Sequence, residues 1–224
     1  FMPAFERGMS LHEAEIDAIT SNKDEATFEN TILAYDDAGQ MLAQTELVFG
    51  MLCAAETNDR MQALQEQAMP LLAAHRDKIR LDDKLFVRVK EVYDRRAALG
   101  LDAEQMRLLQ KTYDSFVRAG ALLDAEQKAR LKEINGQLSL TAVKFGNNIL
   151  AENNNFVLEL KSDELDGLPA GIRDAAREKA QQMGKGDKWV FTLHKPSLIP
   201  LLTYSTRRDL REKIYKAYLN RCNN

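Results

Sequence analysis

A chain of 224 residues, 45% hydrophobic and 29% charged, has the make-up of an ordinary globular protein and can bury most of its apolar surface. Its formal net charge of −3, with both signs interspersed, excludes the clustered Lys and Arg of a nucleic-acid surface. No run approaches the ~18 apolar residues of a membrane span, so neither nucleic acid nor membrane is expected as a partner.

The opening FMPAFERGMS has neither the basic start nor the apolar core of a signal peptide. Phe1 precedes Met2, and Asn223-Asn224 follows a helical pattern directly, so both ends read as cuts in something longer. Cys53 and Cys222 lie far apart in helical patterns and read as free thiols rather than a disulfide framework. The cytoplasm is the expected compartment.

The first predicted helix runs from about Pro3 to Ile19, with Phe5, Met9, His12, Ile16 and Ile19 on one face. Ser21 to Asp24 breaks it. Thr27 then caps a second long helix carrying Phe28, Ile32, Tyr35, Leu42, Phe49 and Cys53, bent near Gly39. Asn58 or Asp59 caps a third, with Met61, Leu64, Ala68, Leu72, His75 and Ile79 inward and a kink expected at Pro70. Asp82 caps a fourth, with Phe86, Val89, Tyr93 and Leu99, ending at Gly100.

The pentapeptide Leu-Asp-Ala-Glu-Gln then occurs twice, and each copy opens a helix through an Asp cap and a Gln three residues on: Asp102 with Gln105, Asp124 with Gln127. The first helix turns Met106, Leu109, Tyr113, Phe116 and Val117 to one face and stops at Gly120. The second turns Leu131, Ile134, Leu138, Ala142, Phe145 and Ile149 inward. The two are expected to pack antiparallel as the spine of the molecule.

Asn153 to Asn155 is a predicted stop. Phe156–Leu160 and Trp189–Leu193 are the β-rich runs, with a short helix between them from about Ala170 to Met183. Pro196 and Pro200 mark a turn and a short helix start. A last helix, Thr206 to about Arg221, carries Leu210, Ile214, Ala217 and Tyr218 inward. The fold class is therefore mainly α: an antiparallel long-helix bundle with a small two-stranded β element near 156–160 and 188–193. The helical body is expected over 1–152, with the β-α-β element and closing helices over 153–224.

Motifs that would carry chemistry are missing. The three histidines, His12, His75 and His194, are isolated in sequence. His12-Glu13 begins like HExxH, but position 16 is Ile and no second His follows one turn on, as a shared metal ion requires. His12 and His75 sit on otherwise apolar faces, where a satisfied, partly buried imidazole is the expectation. Neither cysteine has a His near it in sequence, no Ser lies in a G-x-S-x-G elbow, and no Gly-rich loop follows a strand. No residue is assigned as catalytic, cofactor-binding or metal-ligating.

Thr27-Phe28-Glu29-Asn30-Thr31-Ile32 resembles the N-terminal signature of the thimet-oligopeptidase family of zinc metallopeptidases. The likeness is to the bacterial branch that contains peptidyl-dipeptidase (dipeptidyl carboxypeptidase) and oligopeptidase A. It continues through Leu71 to His75, Leu85 to Lys90, Glu104-Gln105 with Arg107 to Leu109, and Phe116 to Ala121. Phe145-Gly146, Asn148, Leu150, Arg207, Arg211, Ala217, Tyr218 and Arg221 extend it in family order. Tyr35-Asp36 departs, since relatives have Leu and an acidic residue there.

The resemblance implies a helical ellipsoid with a deep channel. Its C-terminal half would hold HExxH and a further Glu on zinc, and N-terminal helices like these would wall the channel. On that reading this chain is the non-catalytic N-terminal portion. It carries no cofactor itself, with zinc expected in the full-length parent. Its partners would be the missing C-terminal catalytic half, short peptides in the full enzyme, and other copies of itself through exposed apolar surface. The alternative from the residues alone is a free-standing helical interaction module without catalytic activity.

Overall fold

The computed structural model describes residues 1–223. It is mainly α with one antiparallel pair of short strands. Two compact units are present, the first spanning Phe1–Val143 and the second beginning at Lys144. The division falls inside a helix.

In the first unit α1 covers Met2–Ser21. The expected second helix is not continuous. A π-helical turn (Phe28–Leu33) leads into a short α2 (Ala34–Asp37), and α3 (Gln40–Ala55) starts afresh. Thr27 caps the turn reciprocally: its side chain accepts from the Asn30 N–H at 3.1 Å, and the Asn30 side chain accepts from the Thr27 N–H at 2.8 Å. The break falls at Gly39, whose φ of +78° is left-handed and closed to most side chains. Its N–H donates to Glu15 Oε2 at 2.7 Å, so the corner is tied to α1.

The predicted caps explain the next starts. Asn58 opens α4 (Asp59–Arg80), accepting from the Met61 N–H at 3.0 Å, and the helix runs on through Pro70. Asp82 opens α5 (Asp83–Asp94), accepting from the Leu85 N–H at 2.8 Å. A 3₁₀ turn over Arg96–Ala98 replaces the end predicted for that helix. Asp102 and Gln105 cap α6 (Ala103–Arg118) reciprocally, as Asp124 and Gln127 do α7 (Ala125–Asn155).

Two clusters fill this unit. Ile16 and Ile19 of α1, Phe28 and Ile32, Ile79, four residues of α5, and Leu109 and Phe116 of α6 form the larger one. Phe5, Leu42, Phe49, Ala68 and Leu72 form the other, where Phe5 meets Phe49 edge-on at 5.3 Å. Fully burying a side chain of this size stabilises by about 1.5–3 kcal/mol.

The expected pairing of α6 with α7 does not occur. The apolar face of α6 packs on α5 and the Phe28–Leu33 turn instead, so Leu109 and Phe116 are already covered when α7 begins. Ile134, Leu138 and Phe145, expected inward, are 43%, 63% and 54% exposed. The early part of α7 is fixed by polar contacts: Lys128 to Asp83, and Asn135 Nδ2 donating to Asp77 Oδ1 at 2.8 Å. The helix runs through Asn153 and Asn154 and ends at Asn155, within the predicted stop.

A buried arginine holds the loop between α1 and the π-helical turn. Arg88 of α5 donates from Nη1 to the carbonyls of Asn22 and Asp24, and from Nη2 to Asn30 Oδ1, all at 3.1 Å. Arg95 adds contacts to Glu25 and to the Ala26 carbonyl.

In the second unit β1 (Leu158–Leu160) pairs antiparallel with β2 (Trp189–Phe191), Glu159 opposite Val190. Both strands are shorter than the β-rich runs. The helices are α8 (Ala170–Gln182), α9 (Lys195–Tyr204) and α10 (Arg208–Leu219). Pro196 sits in the first turn of α9, where a missing N–H costs nothing, and Pro200 lies inside it. Leu158, Leu160, Phe191, Leu201 and Ile214 pack a separate core. Beside it, Thr206 Oγ1 donates to Asp166 Oδ2 at 2.7 Å and closes the loop before α8 onto the α9–α10 corner.

Candidate functional site

A polar cluster of the first unit lies between α1 and α4. Two residues that look solitary in sequence meet there: His75 Nε2 lies 3.0 Å from His12 Nδ1, although 63 positions separate them. His75 is buried and His12 half-buried, with ring centroids 5.0 Å apart in an edge-on arrangement.

The sequence puts them there by ordinary helical arithmetic. His12 lies on the α1 face that buries Phe5 and Ile16, and His75 lies between Leu72 and Ile79 on the buried face of α4. Two polar groups at core positions each need a partner, and each imidazole supplies the other's.

Glu13 completes the arrangement. Its Oε1 lies 3.5 Å from His75 Nδ1, an electrostatic contact without a formed hydrogen bond, and its Oε2 lies 2.8 Å from Lys78 Nζ. A carboxylate beside Nδ1 favours the proton on that nitrogen, which leaves Nε2 to accept from the His12 Nδ1–H. The His12 ring also backs onto Gly39, where an added Cβ would lie 2.9 Å from Nδ1.

The electrostatics favour the neutral pair. Burial holds the pKa of His75 below the ordinary histidine range, opposed by Glu13 and Glu46 and reinforced by Lys78. Burial also lowers His12, and His75 lowers it further, against the raising effect of Glu15 and Glu13. The Lys78 hydrogen bond, ahead of its charge and that of His75, lowers Glu13.

Such a Glu–His–His row can orient imidazoles and share a proton. It does not suit a metal ion, because the Nδ1 of His12 and the Nε2 of His75 are committed to each other. Among the described residues no group of three His, Cys, Asp or Glu could hold one. Burial raises the pKa of the Cys53 thiol, which makes it a poorer nucleophile. The third histidine, His194, precedes α9 in the second unit. Sequence reading missed the pair because neither histidine has a partner within a few turns of its own helix.

No protein-family model matches the chain. Curated relatives do. Dipeptidyl carboxypeptidase of Escherichia coli (strain K12) is 37% identical over 218 residues, which is 97% of this chain and 32% of the relative. Oligopeptidase A of Salmonella typhimurium is 23% identical over 221 residues, 98% of this chain and 32% of the relative. Thimet-like oligopeptidase of Dictyostelium discoideum is 24% identical over 204 residues, 89% of this chain and 29% of the relative.

Its homologues are dipeptidyl carboxypeptidase and oligopeptidase A, of the thimet-oligopeptidase family. It spans about a third of the length of the curated relatives it matches. Among the described residues no helix is long and apolar enough to cross a membrane.

Proposed function

We propose that this chain is the amino-terminal, non-catalytic part of a zinc-dependent oligopeptidase that hydrolyses short peptides and releases dipeptides from their C-termini. The observation that carries this reading is the contrast in identity: 37% to a dipeptidyl carboxypeptidase against 23% to an oligopeptidase A, each over nearly the whole chain. In this reading the helices wall part of a substrate channel in the cytoplasm, and zinc and its ligands belong to the remaining two thirds. No step of hydrolysis is assigned to residues of this chain; among the described residues no group of three His, Cys, Asp or Glu could hold a metal ion.

The test is an assay of the full-length gene product on an N-blocked tetrapeptide. Release of the C-terminal dipeptide, abolished by a chelator and restored by zinc, is the expected result. Cleavage at internal bonds alone would move the reading to an oligopeptidase A type of activity. No cleavage of any short peptide would sink it.

A further inference from the structure

The second unit contains a cavity of about 280 Å³ between α8, the end of β2 and the first turn of α9. Ile172, Ala176 and Lys179 lie at four- and three-residue steps on one face of α8 and form one wall. Strand alternation builds another. Phe191 and Leu193 join the core of the unit, which turns Val190 and Thr192 to the opposite side, and both line the cavity.

Thr192 marks the cavity as a site. It is 7% exposed, and its N–H donates to Ser197 Oγ at 3.0 Å. Its hydroxyl has no partner among the described residues, although a buried polar group normally has one. Lys179 on the opposing wall is exposed and forms no ion pair among the described residues. His194, whose side chain caps nothing, also lines the cavity, and the positive end of the ten-residue α9 opens beside it. No acidic side chain is among the lining residues.

We propose that this cavity binds a small apolar monocarboxylate. The hydrocarbon body lies against Ile172, Ala176 and Val190, and the carboxylate accepts from the Thr192 hydroxyl and the Lys179 ammonium.

Size and charge together select that ligand. Ligand pockets run from about 300 to 1,000 Å³, so this cavity is at the small end and admits a short acid rather than a peptide. The walls are apolar, so a polar head is tolerated only where it is paired, and the donors stand at the Lys179–Thr192 end. An ammonium there would meet another ammonium and the positive end of α9, which sets a simple acid apart from a free amino acid. The site is built wholly from residues of the second unit and does not depend on the peptidase reading.

The probe is isocaproate, titrated into residues 1–224 with backbone amide shifts read by NMR. Saturable shifts at Thr192, Lys195 and Ser197 with a Kd of about 1 mM are expected for a ligand of this size. Isocaproamide, of the same shape without the charge, should bind about ten-fold more weakly. Lys179→Gln, at an exposed position where the fold is insensitive, should weaken the acid about five-fold and leave the amide unchanged. Thr192→Val keeps the side-chain shape and should weaken acid and amide alike by about five-fold.

No saturable shift at these amides well above the expected Kd would overturn the proposal. Equal affinity for acid and amide would do the same, as would a Lys179→Gln variant that binds the acid unchanged. Displacement of isocaproate by an N-acetylated tripeptide ending in leucine would also overturn it and assign the cavity to a peptide end.

Discussion

Replacing Arg88 by alanine removes a guanidinium that serves three acceptors at once, the carbonyls of Asn22 and Asp24 and Oδ1 of Asn30. Hydrogen bonds from a charged donor contribute about 1.5–3 kcal/mol each, so a simple sum would reach roughly 4.5–9 kcal/mol. That sum overshoots. Asp24 is exposed and Asn22 half-exposed, so their carbonyls regain water once the arginine is gone. The loss at Asn30 and the cavity left by a 9%-exposed side chain remain.

The expected cost is about 3–5 kcal/mol, a large share of a typical total of about 5–15 kcal/mol. Urea unfolding followed by circular dichroism measures it. Amide exchange should show the 22–31 segment opening first, because the arginine is what fastens that loop to α5. Arg88→Lys should recover only part of the loss, since one ammonium cannot span three acceptors arranged for a fork. A cost below about 1 kcal/mol for Arg88→Ala, in the range of ordinary surface changes, would refute the reasoning.

Two further predictions concern the α1–α4 seam. Burial holds both His12 and His75 below the ordinary value of 6.5, so the folded chain binds fewer protons than the unfolded one in that range. Their contribution is therefore fully present above pH 6.5 and is lost as pH falls through the lowered folded values. Unfolding free energy measured from pH 7.5 to pH 5 should fall toward acid, and a His75→Gln variant should show a shallower fall. A pH-independent wild type over that window would contradict the assignment. Gly39→Ala should cost about 1–3 kcal/mol and push His12 off His75, because the left-handed backbone and the 2.9 Å approach to Nδ1 both oppose a Cβ. An unchanged imidazole NMR signature in that variant would argue against the contact.

Much of the architecture is readable where a local rule acts. Asn58, Asp82, Asp102 and Asp124 each cap the helix that the sequence predicts, because a side-chain acceptor and the N–H groups that need it lie within one turn. The failures share a different cause. The Gly39 corner depends on a hydrogen bond from Glu15, on another helix. The solvent-facing side of α7 reflects competition, since α5 takes the apolar face of α6 that α7 was expected to cover. The antiparallel direction of the β1–β2 pair has no local signal, because the two strands lie far apart in sequence. The His12–His75 pair was the hardest to foresee, because its two halves lie 63 residues apart and neither carries a motif. Their placement on buried faces was the available clue.

The most direct test of the functional reading is the activity of the full-length gene product beside that of residues 1–224, on the same N-blocked tetrapeptide. Zinc-dependent release of the C-terminal dipeptide by the former and none by the latter is the predicted result. Chelator-sensitive dipeptide release by residues 1–224 alone would contradict it.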